Sequence, residues 1–316
     1  MYNELRHRVA LKLSLGERAV VPITGLTMDQ RRQLVNLAAG QGAYVYMLGP
    51  RPESGTVHIR AYATMQPILP LPVDLHAHLR AKRFAGMTII GDVHGELEAL
   101  QQALEWARSR QHFVWLLGDI VDYGKHALEV VEIVHHAVMH GEASMVLANH
   151  ERKIARYLDH AHNLRISEGN KVTIDALEAL TARERSQWTG RFRALLSHAA
   201  LIQQIGHISI MHAAAHPSLW SSNPESGAIE QFALYGETDQ SSGRFNRTHR
   251  WVDTVPADRM VIVGHDIVSQ FPLVMTGTLG GKVVFLDTGS GKGGKLSTAD
   301  LRFHEDALTL ECFKQY

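Results

Sequence analysis

The chain has 316 residues, 45% hydrophobic and 20% charged, which is the composition of an ordinary globular protein long enough for one large domain and a small one. Its 32 basic residues balance 32 acidic ones, so no overall field draws it to nucleic acid, although a local basic groove stays open. The single cysteine, Cys312, excludes an intrachain disulfide and a cysteine-based zinc cluster; no run of about 18 apolar residues or N-terminal signal pattern is present, so a cytoplasmic location without membrane contact is expected.

Residues 1–65 read as a small α/β accessory domain. Thr27-Met28-Asp29-Gln30 is a capping-box pattern that opens a helix with Leu34, Val35, Leu37 and Ala38 on one face, and Gly40 and Gly42 stop it. Ala43 to Leu48 and Thr56 to Tyr62 alternate like a hairpin around a Gly49-Pro50-Arg51-Pro52 turn. The unit carries eight Lys or Arg against four Asp or Glu, the excess of an ordinary solvated face or of a docking surface for nucleic acid or protein through Tyr44, Tyr46, Arg60 and Tyr62. Residues 66–85 form a linker, opened by the three prolines of Gln66 to Pro72.

From residue 86 to 316 the pattern changes to short apolar runs, each ended by a metal-ligand residue. Met87 to Ile90 leads to Gly91-Asp92-Val93-His94-Gly95, and Phe113 to Leu117 to Gly118-Asp119-Ile120-Val121-Asp122. Ser144 to Leu147 precedes Asn149-His150-Glu151, His207 to Met211 precedes His212, and Met260 to Val263 precedes Gly264-His265. Such runs between polar turns read as strands buried on both faces, and open α/β sheets bind ligands just beyond the carboxyl ends of their strands. Glu96 to Arg108 and Lys125 to His140 read as helices after the first two motifs. A helical insert at about 152–200 carries further helices at Arg152 to Leu158, Ile174 to Leu180 and Arg191 to Leu196.

Carboxylate, imidazole and amide oxygen together suit two divalent ions of intermediate softness. Manganese is the first expectation, with iron, zinc and nickel compatible, whereas calcium prefers an all-oxygen shell. A carboxylate shared by two ions holds them roughly 3.5 to 4 Å apart, and such a pair lowers the pKa of a bridging water enough to give a hydroxide nucleophile near neutral pH.

The ordered set resembles the calcineurin-like metallophosphoesterases of the phosphoprotein phosphatase branch, with their G-D-x-H-G, G-D-x-x-D-x-G, G-N-H-E, H-A and G-H motifs. Phe285-Leu286-Asp287-Thr288-Gly289 with Gly293-Gly294-Lys295-Leu296, together with Trp251 and Val261 to His265, is similar to the phosphatase module of polynucleotide kinase-phosphatases and to bis-nucleosyl-tetraphosphatases. The resemblance implies an α/β fold, a four-layer α/β/β/α sandwich. It further implies Asp92 and His94 on one metal, Asp119 bridging, and Asn149, His212 and His265 on the other. His150 is implied as the general acid and Asp122 as its hydrogen-bonded support, a pairing that fixes the imidazole tautomer.

Two positions depart from the family pattern. Tyr123 stands where the protein phosphatases carry an Arg that grips phosphate bidentately, and a phenol supplies one hydrogen bond and no charge. Another cation is then needed, with Arg152, Arg244, Arg247 and Arg250 as candidates, so Tyr123, Arg152 and Arg247 are expected at the substrate. Ala148 replaces the Gly before Asn149 and removes no ligand.

The expected activity is metal-dependent hydrolysis of phosphate esters or anhydrides, on nucleotides or nucleic-acid ends. The alternatives are a serine/threonine protein phosphatase and, from another class, a binding module with a vestigial metal site. Three further patterns have blander explanations. His76-Ala77-His78 lacks the repeats of a metal-dependent barrel. His135, His136 and His140 are edge histidines on a helix. Gly289 to Lys295 satisfies only the G-x-x-x-x-G-K part of a Walker loop, with Leu296 in place of Ser or Thr. It reads as a glycine-rich turn whose Lys292 or Lys295 can reach a phosphate at the rim.

Overall fold

A computed structural model describes residues 5, 9, 34, 47–50, 57–60, 84–161, 164–239, 246–304 and 307–316. The chain divides into two compact units, Met1–Leu69 and Pro70–Tyr316. In the first, β1 (Met47–Pro50) pairs antiparallel with β2 (Val57–Arg60), Pro50 opposite Val57. The pairing keeps Gly49 and Pro50, expected in the turn, within the strand. Leu34 is helical and buried. Tyr44, Tyr46, Tyr62, the Gln66 to Pro72 segment, His76 to His78 and Arg244 lie outside the described residues.

The second unit is built on two five-stranded sheets. One holds β3 (Gly86–Ile90), β4 (His112–Leu116) and β5 (Ala143–Met145) in parallel, flanked by antiparallel β13 (Ser297–His304) and β14 (Ala307–Gln315). The other holds β7 (Ile208–Met211), β10 (Met260–Val263) and β12 (Lys282–Phe285) in parallel, with β6 (Ile202–Ile205) and β11 (Leu273–Thr276) antiparallel at its edges. Met87, Ile89, Phe113, Trp115, Ile208, Ile210, Ile262 and Val284 form one cluster between the sheets. Each such side chain contributes about 1.5–3 kcal/mol when fully removed from water.

The strands are buried on both faces because alternate residues serve different layers. Ile90, Val114 and Leu116 point away from the sheet interface into a helical layer. That layer contains α1 (Leu97–Ser109), α2 (Ala127–Met139), α3 (Asn149–Leu158), α4 (Glu168–Ala179) and α5 (Ala182–His198). Beyond the second sheet, the 3-10 turn Arg250–Thr254 lays Trp251 against Phe285, with ring centroids 6.1 Å apart. A sixth helix, α6 (Ser226–Tyr235), ties back to the end of β7 through Ala213 N–H, which donates to the Ala233 carbonyl. The expected α/β/β/α sandwich is therefore present.

The insert helices begin earlier than apolar spacing alone indicated. Thr181 and Glu184 form a reciprocal capping box that starts α5, and Ser167 with Asn170 starts α4, both well before the first apolar residue expected in either helix. Two further short strands, β8 (Glu237–Asp239) and β9 (Asn246–Thr248), pair antiparallel. No described helix is long and apolar enough to cross a membrane.

Candidate functional site

Six parallel strands, three from each sheet, bring their carboxyl ends to one crevice. Asp92 and His94 follow β3, Asp119 follows β4, Asn149 follows β5, His212 follows β7 and His265 follows β10. The sixth end, after β12, supplies Asp287, a buried carboxylate to which sequence reasoning gave no role. Seven non-glycine described residues have positive φ, and five of them, His94, Asp119, Asp122, Tyr123 and His265, are expected site residues. Each such conformation costs on the order of 1–3 kcal/mol, and strain of this kind collects where function over-determines the backbone.

Hydrogen bonds to backbone carbonyls orient the imidazole rings. His94 Nδ1 lies 2.9 Å from the Val121 carbonyl and His212 Nδ1 2.8 Å from the Leu117 carbonyl, so each neutral ring donates from Nδ1 and turns the lone pair of Nε2 inward. His94 Nε2 is buried without a hydrogen-bond partner. His212 Nε2 faces Asn149 Oδ1 at 2.8 Å, His265 Nδ1 at 3.0 Å and Asp119 Oδ2 at 3.4 Å. This cluster, rich in acceptor atoms, suits a cation at its centre.

Asp119 belongs to both candidate clusters, one with His94 and His150 and one with His212 and His265. Its Oδ2 is 3.7 Å from His94 Nε2, and its Oδ1 accepts the His150 backbone N–H at 3.2 Å. Asp92 accepts the His265 N–H through both oxygens, at 3.1 and 3.0 Å. Gly264 permits this approach, because a Cβ there would meet Asp92 Oδ1 at 2.0 Å.

The electrostatics also call for positive charge. Burial, followed by the charges of Asp287 and Asp119, holds the Asp92 carboxyl well above its usual range. Burial lowers His94 to about 3 and holds His265 well below its usual value, so both imidazoles are neutral and able to ligate. Burial opposes ionisation of Asp119, but the charge of His150 acts against it, and that carboxyl is held well below its ordinary value. The donors present therefore fit a pair of divalent cations sharing Asp119.

His150 is held from its outer nitrogen. Nδ1 lies 2.5 Å from Asp122 Oδ2, while Nε2 turns toward Asp119 Oδ2 at 3.8 Å. Asp122 in turn accepts from Asn170 Nδ2, and its N–H donates to Thr173 Oγ1 at 2.9 Å. Asn170 and Thr173 are fully buried residues of α4, so this helix braces the His150–Asp122 pair, a contact that the sequence did not signal. Ala148 adopts extended backbone, φ −121°, which needs no glycine.

Glu151 is a second residue without an assigned role. Its buried carboxylate accepts the N–H groups of Asp119 at 3.0 Å, Ile120 at 2.7 Å and Val121 at 3.4 Å, fixing the loop that presents Asp119. Burial, then the Asp119 charge, raises its pKa from 4.5 to about 7. In metal-free protein its contribution to stability is therefore whole below 4.5 and is lost as pH rises through about 7. Glu151→Gln turns one amide donor toward a loop of donors and is expected to destabilise by about 1–3 kcal/mol. Urea unfolding of metal-free protein from pH 5 to 8 checks both points, because the variant should also lose part of the pH slope.

The expected substrate residues differ in their surroundings. Tyr123 stands edge-on to His94, with centroids 4.8 Å apart, and tilted to His150 at 5.6 Å. Arg152 is bonded to Glu230 at 2.7 Å. Arg247 is bonded to Asp266 at 3.0 Å and to the His265 carbonyl at 3.2 Å, and Arg250 lies 3.5 Å from Glu237. His135, His136 and His140 lie on or just beyond α2, His136 stacked on His140.

The family model described as calcineurin-like phosphoesterase matches residues 87–269. The chain is 30% identical over 231 residues to an asymmetrical bis(5'-nucleosyl)-tetraphosphatase of Halalkalibacterium halodurans, covering 69% of this chain and 89% of that protein. It is 28% identical over 223 residues to the protein of the same name from a Geobacillus species, covering 66% of this chain and 87% of that one.

Proposed function

Because the chain belongs to the calcineurin-like phosphoesterases and is a hydrolase of phosphoesters, we propose that it is a two-metal enzyme acting on phosphate esters or anhydrides of nucleotides or nucleic-acid ends. The observation that carries the two-metal reading is the convergence of imidazole nitrogens on the Asp119 carboxylate from two sides. Asp92 and His94 would hold one cation, Asn149, His212 and His265 the other, and Asp119 both. Manganese is the first choice, since a mixed oxygen and nitrogen donor set suits it. When bound, such a pair polarises the phosphoryl oxygens, offsets developing charge and acidifies water.

The chain's own groups supply the rest. Asp122 fixes His150 with Nε2 facing the site, where it can deliver a proton to the leaving oxygen. Nucleotide substrates are favoured over phosphoproteins by the tetraphosphatase relatives and by Tyr123 at the position of a phosphate-gripping Arg. A cytoplasmic location agrees with such substrates and with a lone cysteine. Residues 1–65, with their excess of basic residues, would supply a contact for nucleic acid or protein.

The manganese-loaded chain is expected to hydrolyse diadenosine tetraphosphate or 3′-phosphorylated DNA in preference to phosphopeptide, and chelation should abolish the activity. Exclusive turnover of phosphopeptide would reverse the substrate assignment. No hydrolysis with any divalent metal, alongside tight nucleic-acid or protein binding, would replace it with a binding module.

A further inference from the structure

The glycine-rich stretch after β12 is not a nucleotide loop; it is a strap across the site. Gly289, Gly291 and Gly293 all have positive φ, and Lys292 N–H and Gly294 N–H both donate to the Gly289 carbonyl at 2.9 Å. Two contacts fasten the strap to the loop that carries His94. Ser290 Oγ donates to the Val93 carbonyl at 2.9 Å. Gly291 packs so closely on His94 that a Cβ would meet the His94 Cβ at 2.6 Å and its carbonyl at 2.8 Å.

The next residue is Lys292, and its Nζ lies 4.8 Å from the centre of the Tyr123 ring. The same ring borders His94 and His150. The ammonium is thus carried by a backbone anchored on one candidate ligand and rests against the residue that displaces the expected guanidinium. Arg152, Arg247 and Arg250 are engaged with carboxylates, whereas Lys292 is exposed and, among the described residues, paired with none. A cation on an aromatic face is weakly held at an exposed site, so a phosphate can recruit it.

We propose that Lys292 binds the non-bridging oxygens of the substrate phosphoryl group in place of an arginine at position 123, and that Tyr123 positions it there. The assignment rests on the phosphoesterase reading. It also gives Tyr123 a function other than that of an arginine substitute: its ring is the platform and Lys292 the charge. The field of Lys292 already reaches the centre, where it opposes the rise in the pKa values of Asp92 and Asp287. As a point charge on a flexible stem, Lys can follow a phosphate through several positions, whereas an arginine fork fixes one bidentate geometry.

The test is calorimetric binding of inorganic phosphate to the manganese-loaded full chain, with metal content measured alongside. Lys292→Met is expected to weaken phosphate about tenfold or more, the loss of one charge-assisted hydrogen bond, at unchanged metal content and melting temperature. KM should rise more than kcat falls, and Lys292→Arg should restore most of the affinity. Tyr123→Ala should lose less than Lys292→Met and add nothing to it in the double variant; additive losses would overturn the positioning role. Lys292→Met with wild-type phosphate affinity, or a wild-type chain that does not bind phosphate, would overturn the proposal. A wild-type chain that binds phosphate but hydrolyses no ester would instead overturn the functional reading, with the Lys292 comparison still decided by calorimetry.

Discussion

Asp119→Asn is expected to lower turnover on the order of a thousandfold and to reduce bound manganese from two ions per chain to one or fewer. Asp119 has contacts in both candidate clusters, its Oδ2 lying 3.4 Å from His212 Nε2 and 3.7 Å from His94 Nε2. The amide keeps the shape of the side chain and can still accept the His150 backbone N–H, so the fold should survive. What it loses is the negative charge proposed to be shared by two cations. Correct placement of a metal is worth several kcal/mol of charge stabilisation, and each 1.36 kcal/mol is tenfold in rate. Elemental analysis after desalting and steady-state kinetics at saturating manganese read the two effects separately. Unchanged turnover and metal content would remove Asp119 from the bridging position.

The centre was legible because a buried strand followed by a ligand leaves a local signature. Apolar runs such as Met260 to Val263 end at the site, and the strand there has these bounds. The same signature exists at Val283 to Leu286 before Asp287, yet that stretch suggested only a resemblance. Asp287 acquires meaning when its carboxylate is found beside that of Asp92. The starts of α4 and α5 were missed because the caps Ser167 and Thr181 precede polar first turns, where apolar periodicity is silent.

Charge partners were illegible for a different reason. Nothing local to Arg152 or Arg247 announces Glu230 or Asp266, because an ion pair between distant residues exists only after folding. Lys292 was legible in part. Its glycine-rich turn placed it, or Lys295, within reach of a phosphate at the rim, and only the docking of Gly291 on His94 brings it to Tyr123.

His150→Asn is expected to cut kcat by roughly 10²- to 10⁴-fold for a nucleotide substrate and far less for 4-nitrophenyl phosphate, whose leaving group departs without a proton. The distinction follows from geometry: Asp122 occupies Nδ1 at 2.5 Å, and only Nε2 can serve the reaction. Burial alone would lower the His150 pKa, but the Asp119 charge and the Asp122 bond and charge outweigh it and raise the value from 6.5 to about 8. The ring is then protonated near neutrality in metal-free protein. Cations sharing the Asp119 charge would weaken that pull and lower the His150 pKa in the loaded enzyme. A proton donor must be charged to act, so turnover of the nucleotide should decline as pH rises through the His150 pKa. Asp122→Asn removes two influences that raise the pKa and should move that decline to lower pH; His150→Asn should abolish it. A ligand role predicts a different pattern, because His94, Asp119 and His150 also lie close enough to hold an ion together. Were His150 a ligand, its loss would lower metal content and slow both esters by the same factor. The ratio of the two rate losses, measured at full metal occupancy, therefore separates proton delivery from coordination.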